Sequence, residues 1–376
     1  YTEDETRRTE LHTETGVFLQ ETLADLEGAE AEFDKALAIT FDHMPAARPL
    51  ADIAYRDEKW QRAEQLLDII VERLDPQTDA SELCRQHYRL GYVCERLGKE
   101  AKGLKNYQRA YELDATYLPG LEGLGAALSK SGRWEDAAKV YQAILIHHRD
   151  GLTDAEVVDY YQQLADLHHK LGQNDRAAKN LEKALELDPS HPPSLRLLAN
   201  IHLAGKDYEE AYETLMRLVP LVFGDERSAL LMEIGRLGKG DLDDPYRAID
   251  AFEDANRQKP GDKEILEALL ALYRQSRQGP RAVEVLEELV RVEQDEKARV
   301  RLNQNLGEVY RDEIKNEARA LQYFNAALDL DPAFVKAFES IETMLSATGN
   351  WQSLEENYIA MLKRIPPDAL CMDALC

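Results

Sequence analysis

The sequence predicts an all-α chain built from about ten stacked helical hairpins. Three observations predict it. Gly and Pro number only 20 and 14 in 376 residues, few enough for helix almost throughout. A small-x3-large-x2-apolar triplet recurs ten times along the chain. A Leu followed by Gly or Ala precedes five of these triplets by twelve residues.

In chain order the triplets are Ala29, Phe33, Ala36; Ala63, Leu67, Ile70; Gly103, Tyr107, Ala110; Ala137, Tyr141, Ile144; Ala177, Leu181, Ala184; Ala211, Leu215, Leu218; Ala248, Phe252, Ala255; Ala282, Leu286, Leu289; Ala320, Phe324, Ala327; and Leu354, Tyr358, Met361. Positions four and three apart share one helix face. Each triplet therefore marks one helix, B, of a hairpin. Its first position is small, in all but the last unit, so that a neighbouring helix can cross closely. Its second is large and fills the space between hairpins. The other helix, A, carries Leu50-Ala51, Leu90-Gly91, Leu124-Gly125, Leu164-Ala165, Leu198-Ala199 and Leu269-Leu270. With one extra residue before the triplet, Ile234-Gly235 and Leu306-Gly307 join the series. The first hairpin, at residues 1–40, has no such pair at twelve residues and reads as degenerate; nine units follow over 42–366. Gly98, Gly132, Gly172, Gly205 and Gly349 are expected at the A–B turns, where a left-handed residue is cheap for glycine. Pro76, Pro189, Pro260, Pro332 and Pro366 fall just past B helices and stop them.

The triplets are separated by 34, 40, 34, 40, 34, 37, 34, 38 and 34 residues. Alternate units are thus longer, by a loop or an extended helix. The extra residues are expected near Gln77–Ser81, His148–Asp154 and Gly238–Pro245, and at either Glu293–Lys297 or Asp312–Asn316.

The chain carries 71 acidic and 46 basic residues, a formal charge of −25. Such a chain lacks the basic stripe a free nucleic-acid binder needs and is repelled by anionic membranes. No apolar run reaches membrane-spanning length. At 44% hydrophobic residues it can bury a core. Four cysteines in this length make no disulfide scaffold, and free thiols suit a reducing cytoplasm.

The whole pattern resembles the tetratricopeptide repeat, most cleanly at Leu164, Ala165, Leu171-Gly172, Ala177, Leu181, Ala184 and Pro189. The resemblance covers roughly residues 25–366, and the last unit departs from it with Glu342 where Gly or Ala is usual. It implies a right-handed superhelical solenoid with a concave groove lined by A helices. It also implies which positions line that groove: three before, one after and four after the Gly/Ala site. These are Arg48, Asp52 and Tyr55; Tyr88, Tyr92 and Glu95, with Arg85 and Arg89 alongside; Glu122, Ala126 and Ser129; Gln162, Asp166 and His169; Arg196, Asn200 and Leu203; Met232, Arg236 and Lys239; Glu267, Ala271 and Arg274; and Gln304, Glu308 and Arg311. Arg196 and Asn200 resemble half of the carboxylate clamp with which some family members hold a chaperone C-terminus, but Arg236 stands where a second Asn belongs, which argues against a chaperone tail.

The groove so defined is nearly charge-balanced, which leaves the excess acids to B helices and loops, such as Glu209-Glu210 and Glu284, Glu287 and Glu288. Its N-terminal third gathers tyrosines and arginines, residue types that anchor peptides. Such a groove favours an acidic segment or a C-terminal carboxylate; alternatively, Tyr55, Tyr88 and Tyr92 pack between adjacent A helices. No phosphate loop, GxGxxG, GxSxG, HExxH or CxxC occurs, so no catalytic residue, metal or cofactor is expected. His168 and Cys94 take packing positions. Cys84 and Cys94 lie ten apart on one helix, too far for a disulfide. Residues 367–376, with Cys371 and Cys376, form a tail. The reading is a cytoplasmic, non-catalytic scaffold that binds a peptide or protein segment. A regulatory or targeting module of a larger enzyme or secretion machine, and a self-associating scaffold, are the alternatives.

Overall fold

The structure, a computed structural model, describes residues 2–364. It consists of twenty α-helices in ten A–B hairpins, with no strand among the described residues. The first five pairs are α1 (Thr2–Phe18) and α2 (Leu26–Ile39), α3 (Met44–Arg56) and α4 (Trp60–Arg73), α5 (Ala80–Arg96) and α6 (Glu100–Leu113), α7 (Leu118–Lys130) and α8 (Trp134–His147), and α9 (Asp154–Lys170) and α10 (Asn174–Leu187). The others are α11 (Pro192–Gly205) and α12 (Tyr208–Leu218), α13 (Gly224–Lys239) and α14 (Pro245–Gln258), α15 (Lys263–Gln275) and α16 (Gly279–Val292), α17 (Glu296–Val309) and α18 (Glu317–Leu330), and α19 (Val335–Ala347) and α20 (Trp351–Arg364). The chain divides into two compact units, Tyr1–Ile201 and His202–Cys376. The division falls inside α11.

The triplets set the core. All eight alanines at the first position are 0% exposed. Opposite the large second position, the A helix is shaved to match. A Cβ on Gly16 would meet the Phe33 ring at 2.6 Å, on Gly91 the Tyr107 ring at 2.8 Å, on Gly235 the Phe252 ring at 2.7 Å and on Gly307 the Phe324 ring at 2.3 Å. On Gly125 it would touch the Tyr141 ring at 3.0 Å. Where the large residue is Leu67, Leu181 or Leu286, the A helix carries Ala51, Ala165 or Leu270 instead. Glycine inside a helix costs about 1 kcal/mol relative to alanine; here it makes room for an aromatic ring. The first hairpin obeys the same rule through Gly16, thirteen residues before Ala29 rather than twelve.

That one-residue difference has a structural cause. The usual turn closes with a backbone N–H reaching five residues back, as in Lys59 to Ala54 (2.9 Å), Lys99 to Cys94 (2.8 Å) and Gln278 to Tyr273 (2.8 Å). The hairpins of Gly16, Gly235 and Gly307 close six residues back: Asp25 to Leu19 (3.0 Å), Asp244 to Gly238 (2.8 Å) and Asn316 to Tyr310 (2.8 Å). In the first and ninth hairpins the added residue is wound into a π-helical turn, Leu19–Leu23 and Tyr310–Ile314. In all three, the closing residue also caps helix B through its side chain, satisfying N–H groups that the helix start leaves open.

Gly98, Gly132, Gly172 and Gly349 adopt the expected left-handed conformation. Gly205 does not: it ends α11, and Lys206 takes the left-handed position at φ 66°. Glu58 (φ 56°) and Arg277 (φ 55°) do the same in turns without glycine.

The alternation in length is an alternation in the A helices. α5 and α9 have 17 residues, whereas α3 and α7 have 13. α13 has 16 and α15 has 13, and α17 continues into its π-helical turn. Of the two places offered for the extra residues of the ninth unit, both contribute: one residue widens the turn at 310–316, and the others lengthen the start of α17, which begins eleven residues before Gly307 where α15 begins seven before Leu270.

Candidate functional site on the A helices of the first unit

The residues that the sequence places on the groove meet most closely on α3 and α5, against Trp60 at the start of α4 and Tyr117 just before α7. Tyr55 on α3 lies 5.9 Å from Tyr92 on α5, and both lie 5.9 Å from the Trp60 ring at the start of α4. The guanidinium of Arg89 stacks on Tyr55, 4.6 Å from the ring centre, and donates to Asp52 Oδ1 at 2.7 Å. Arg96 covers the other aromatic, Trp60, at 5.7 Å. Tyr88 faces Tyr117, the residue before α7, edge-on at 5.7 Å and lies 6.1 Å from Tyr107. The result is two neighbouring groups of half-buried rings, Tyr55–Trp60–Tyr92 and Tyr88–Tyr117, with Arg89 and Arg96 stacked on the first. Burial, with Tyr88 and Tyr92 close by, pushes the Tyr55 hydroxyl up to about 12, so it stays a neutral hydrogen-bond donor at any physiological pH.

Trp60, Tyr117 and Arg96 complete the cluster, although none of them falls on a groove position by register. Trp60 had a signal: Trp60, Trp134 and Trp351 each open a B helix three residues before a triplet. Tyr117 precedes its helix and carries no periodic signal.

The charges are partly engaged. Arg85 donates to Glu82 at 2.7 Å. Glu82 is held below its ordinary value, first by the Gln86 amide and then, against partial burial, by Arg85, with Arg48 adding to the pull. Arg48 is exposed at the edge of this cluster and forms no ion pair among the described residues. Arg89, by contrast, is already paired with Asp52.

Elsewhere the predicted positions are more dispersed. Gln162 is half-buried on α9. Asp166 accepts from Lys170 at 2.6 Å, and His169 Nδ1 lies 2.9 Å from Asn174 Oδ1. Arg196 is half-buried and Asn200 exposed on α11. In the second unit Arg236 pairs with Glu264, and Arg274 is exposed. Arg311 lies in the π-helical turn, donates to Asp312 at 2.7 Å and sits 5.8 Å from the Phe324 ring centre. Gln304 is only 2% exposed; its amide donates to Ser340 Oγ at 3.0 Å, so it faces the packed interior between α17 and α19 rather than solvent.

His168 is buried with Nδ1 3.0 Å from Gln173 Oε1. Burial pushes both the Cys84 and the Cys94 thiols up to about 11, which leaves them protonated and unreactive. No group of metal-ligating side chains occurs among the described residues, and none of their helices is long and apolar enough to cross a membrane. The tail at 367–376 and Pro366 lie outside the described residues.

Stacked hairpins with a shared crossing rule define a helical-repeat protein. Family profiles described as tetratricopeptide repeat match residues 87–117, 115–190, 168–233 and 300–334. The chain is a tetratricopeptide-repeat protein. No curated protein matches it. Among solved structures it is similar to YrrB, a TPR protein with an unusual peptide-binding site, at 18% identity over 55% of this chain and 99% of that one, with a TM-score of 0.33. A tetratricopeptide repeat protein from Parabacteroides merdae shares 16% identity over 70% of this chain and 98% of that one, at 0.39. The TPR2AB domain of yeast Sti1 in complex with pHSP90 shares 16% over 70% and 97%, at 0.38.

Proposed function

We propose that this protein is a non-catalytic protein–protein interaction scaffold that binds a peptide or protein segment along its A helices, with the principal anchor on α3, α5 and α7. The observation that carries this reading is the clustering of Tyr55, Trp60, Tyr88, Tyr92 and Tyr117 with Arg48, Arg85 and Arg89. Rings with polar edges give contact area at small entropic cost, and arginines recognise carboxylates in a fork geometry. The partner segment is acidic or ends in a free carboxylate that reaches Arg48. The remaining predicted positions of the first unit, Gln162, Asp166, His169, Arg196 and Asn200, extend the contact or tune its charge; Arg236, Arg274 and Arg311 of the second unit are candidate contacts of that unit by itself.

The test is an array of acidic and C-terminal peptides, followed by crosslink mapping of the best binder. Tyr88→Ala with Arg89→Ala is expected to weaken binding at least tenfold while far-UV circular dichroism is unchanged. Arg48→Ala is expected to weaken binding of a free-carboxylate peptide more than that of its amidated form. Crosslinks confined to B helices, or affinity unchanged in both variants, overturn the proposal.

A further inference from the structure

Along the outward side of α20, large apolar residues at two register positions are more open to solvent than their apolar counterparts in the other B helices. Leu362 occupies the position eight after the first triplet residue. The equivalent Leu37, Leu185 and Leu328 are 9%, 7% and 0% exposed and the equivalent Tyr111 is 39%, whereas Leu362 is 50% exposed. Trp351 occupies the position of Trp60. Trp60 is half-buried against Tyr55 and Tyr92, whereas Trp351 is 65% exposed. Ile359, 46% exposed, lies between them. At about 100° per residue, Trp351, Glu355, Ile359, Leu362 and Lys363 fall within about 120° of arc. They make one apolar stripe with an acid at one end and a base at the other.

The charges on that stripe are self-complementary. Glu355 and Lys363 lie four residues to either side of Ile359, both are exposed, and neither forms an ion pair among the described residues. Arg364, by contrast, is engaged with Asp329 at 2.7 Å. If two copies of α20 pair antiparallel about a two-fold axis through Ile359, each Glu355 faces the other copy's Lys363. Ile359 then meets its own symmetry mate, and Leu362 is covered. A two-fold contact uses the same patch twice and closes on itself.

We infer that the chain forms a two-fold homodimer through the outer face of α20, held by Ile359 and Leu362 and set in register by reciprocal Glu355–Lys363 pairs. A contact made by one 14-residue helix is small, below about 1,200 Å² in total, so the dimer is weak and concentration-dependent.

Sedimentation equilibrium of the full chain in reducing buffer, from about 1 μM to several hundred μM, tests this. The expected result is a monomer–dimer equilibrium in which Ile359→Glu, Glu355→Lys and Lys363→Glu each weaken dimerisation at least tenfold. The double variant Glu355→Lys/Lys363→Glu recovers it. An equimolar mixture of the two single charge variants dimerises better than either alone, because only the mixed pair restores both contacts. A monomer at every concentration, as when a segment of the same chain covers the stripe, overturns the inference. So does a dimer indifferent to these substitutions. Unchanged helicity by circular dichroism keeps the single variants interpretable.

Discussion

Gly307 is a helix-interior glycine retained for the space it leaves, and replacing it gives a sharp test of how these hairpins are built. An alanine Cβ there would lie 2.3 Å from Phe324 Cε1 and 2.4 Å from Cδ1. Phe324 is 0% exposed and packed among Ala320, Ala327 and Ile341, so the ring has nowhere to retreat without disturbing α19. Overpacking of this kind costs about 1–3 kcal/mol. The clash is far inside contact distance, so the upper end applies. Alanine regains about 1 kcal/mol of helix propensity, leaving Gly307→Ala destabilised by about 2 kcal/mol. Phe324→Leu alone trims the ring and leaves a cavity, at about 1–2 kcal/mol. Together they recreate the Ala-facing-Leu pairing of Ala51 with Leu67 and Ala165 with Leu181. The double variant should therefore lie within about 1 kcal/mol of the parent, where independent effects would sum to about 3–4. That is a coupling of at least about 2 kcal/mol, within the range of residues in contact. Repeat arrays do not unfold as one cooperative unit. The readout is therefore native-state hydrogen exchange of peptides from α17 and α18, with all four members of the cycle compared. A Gly307→Ala protein as stable as the parent, or a coupling under about 0.5 kcal/mol, refutes the volume-matching rule.

Two further outcomes follow from the same structure. Arg277 holds the left-handed turn position at φ 55°, where Gly98 and Gly172 serve in other turns; Arg277→Gly is expected to stabilise the eighth hairpin by about 0.5–1 kcal/mol, seen as slower exchange in α15 and α16. Burial lowers the pKa of His168 and of His87, the latter also bonded to Asn106 Oδ1 at 2.9 Å. The folded state thus resists protonation that the unfolded chain accepts near 6.5. Stability from both is complete above that value and is lost as pH falls toward their lower folded values. His87→Gln/His168→Gln should therefore lose less stability between pH 7.5 and 5.5 than the parent, measured by native-state hydrogen exchange of peptides from α5 and α9 corrected for the pH dependence of intrinsic exchange.

The hairpins were legible because their core rests on a strict local rule. A small residue at the helix crossing and a large one a turn later recur at fixed offsets, and burial follows the offsets almost without exception. The first A helix is not legible by its pair because Thr15 precedes Gly16, where the other two thirteen-residue hairpins carry Ile234-Gly235 and Leu306-Gly307. Its signature was nonetheless present, since all three thirteen-residue hairpins put Asp or Asn, namely Asp25, Asp244 and Asn316, where the wider turn needs a capping side chain. Gly205 misled because glycine frequency marks a turn only to within a residue, whereas the backbone sign is fixed by the residue before the closing N–H. That residue is Lys206.

The candidate site was legible as positions but not as charge states. Register alone put Tyr55, Tyr88, Arg89 and Tyr92 on one face. It could not see that Arg89 is already shared between Asp52 and the Tyr55 ring, because Asp52 lies 37 residues away on another helix. Nor could it see that Gln304 turns inward to Ser340. The consequence is that counting arginines overstates the attraction for an anion. A carboxylate arriving at Arg89 exchanges one ion pair for another and gains little. One arriving at Arg48 makes a pair where none existed. In the binding mode proposed above, the discrimination between an acidic segment and a neutral one would therefore rest on Arg48, while Arg89, stacked on Tyr55 and paired with Asp52, holds that ring in place.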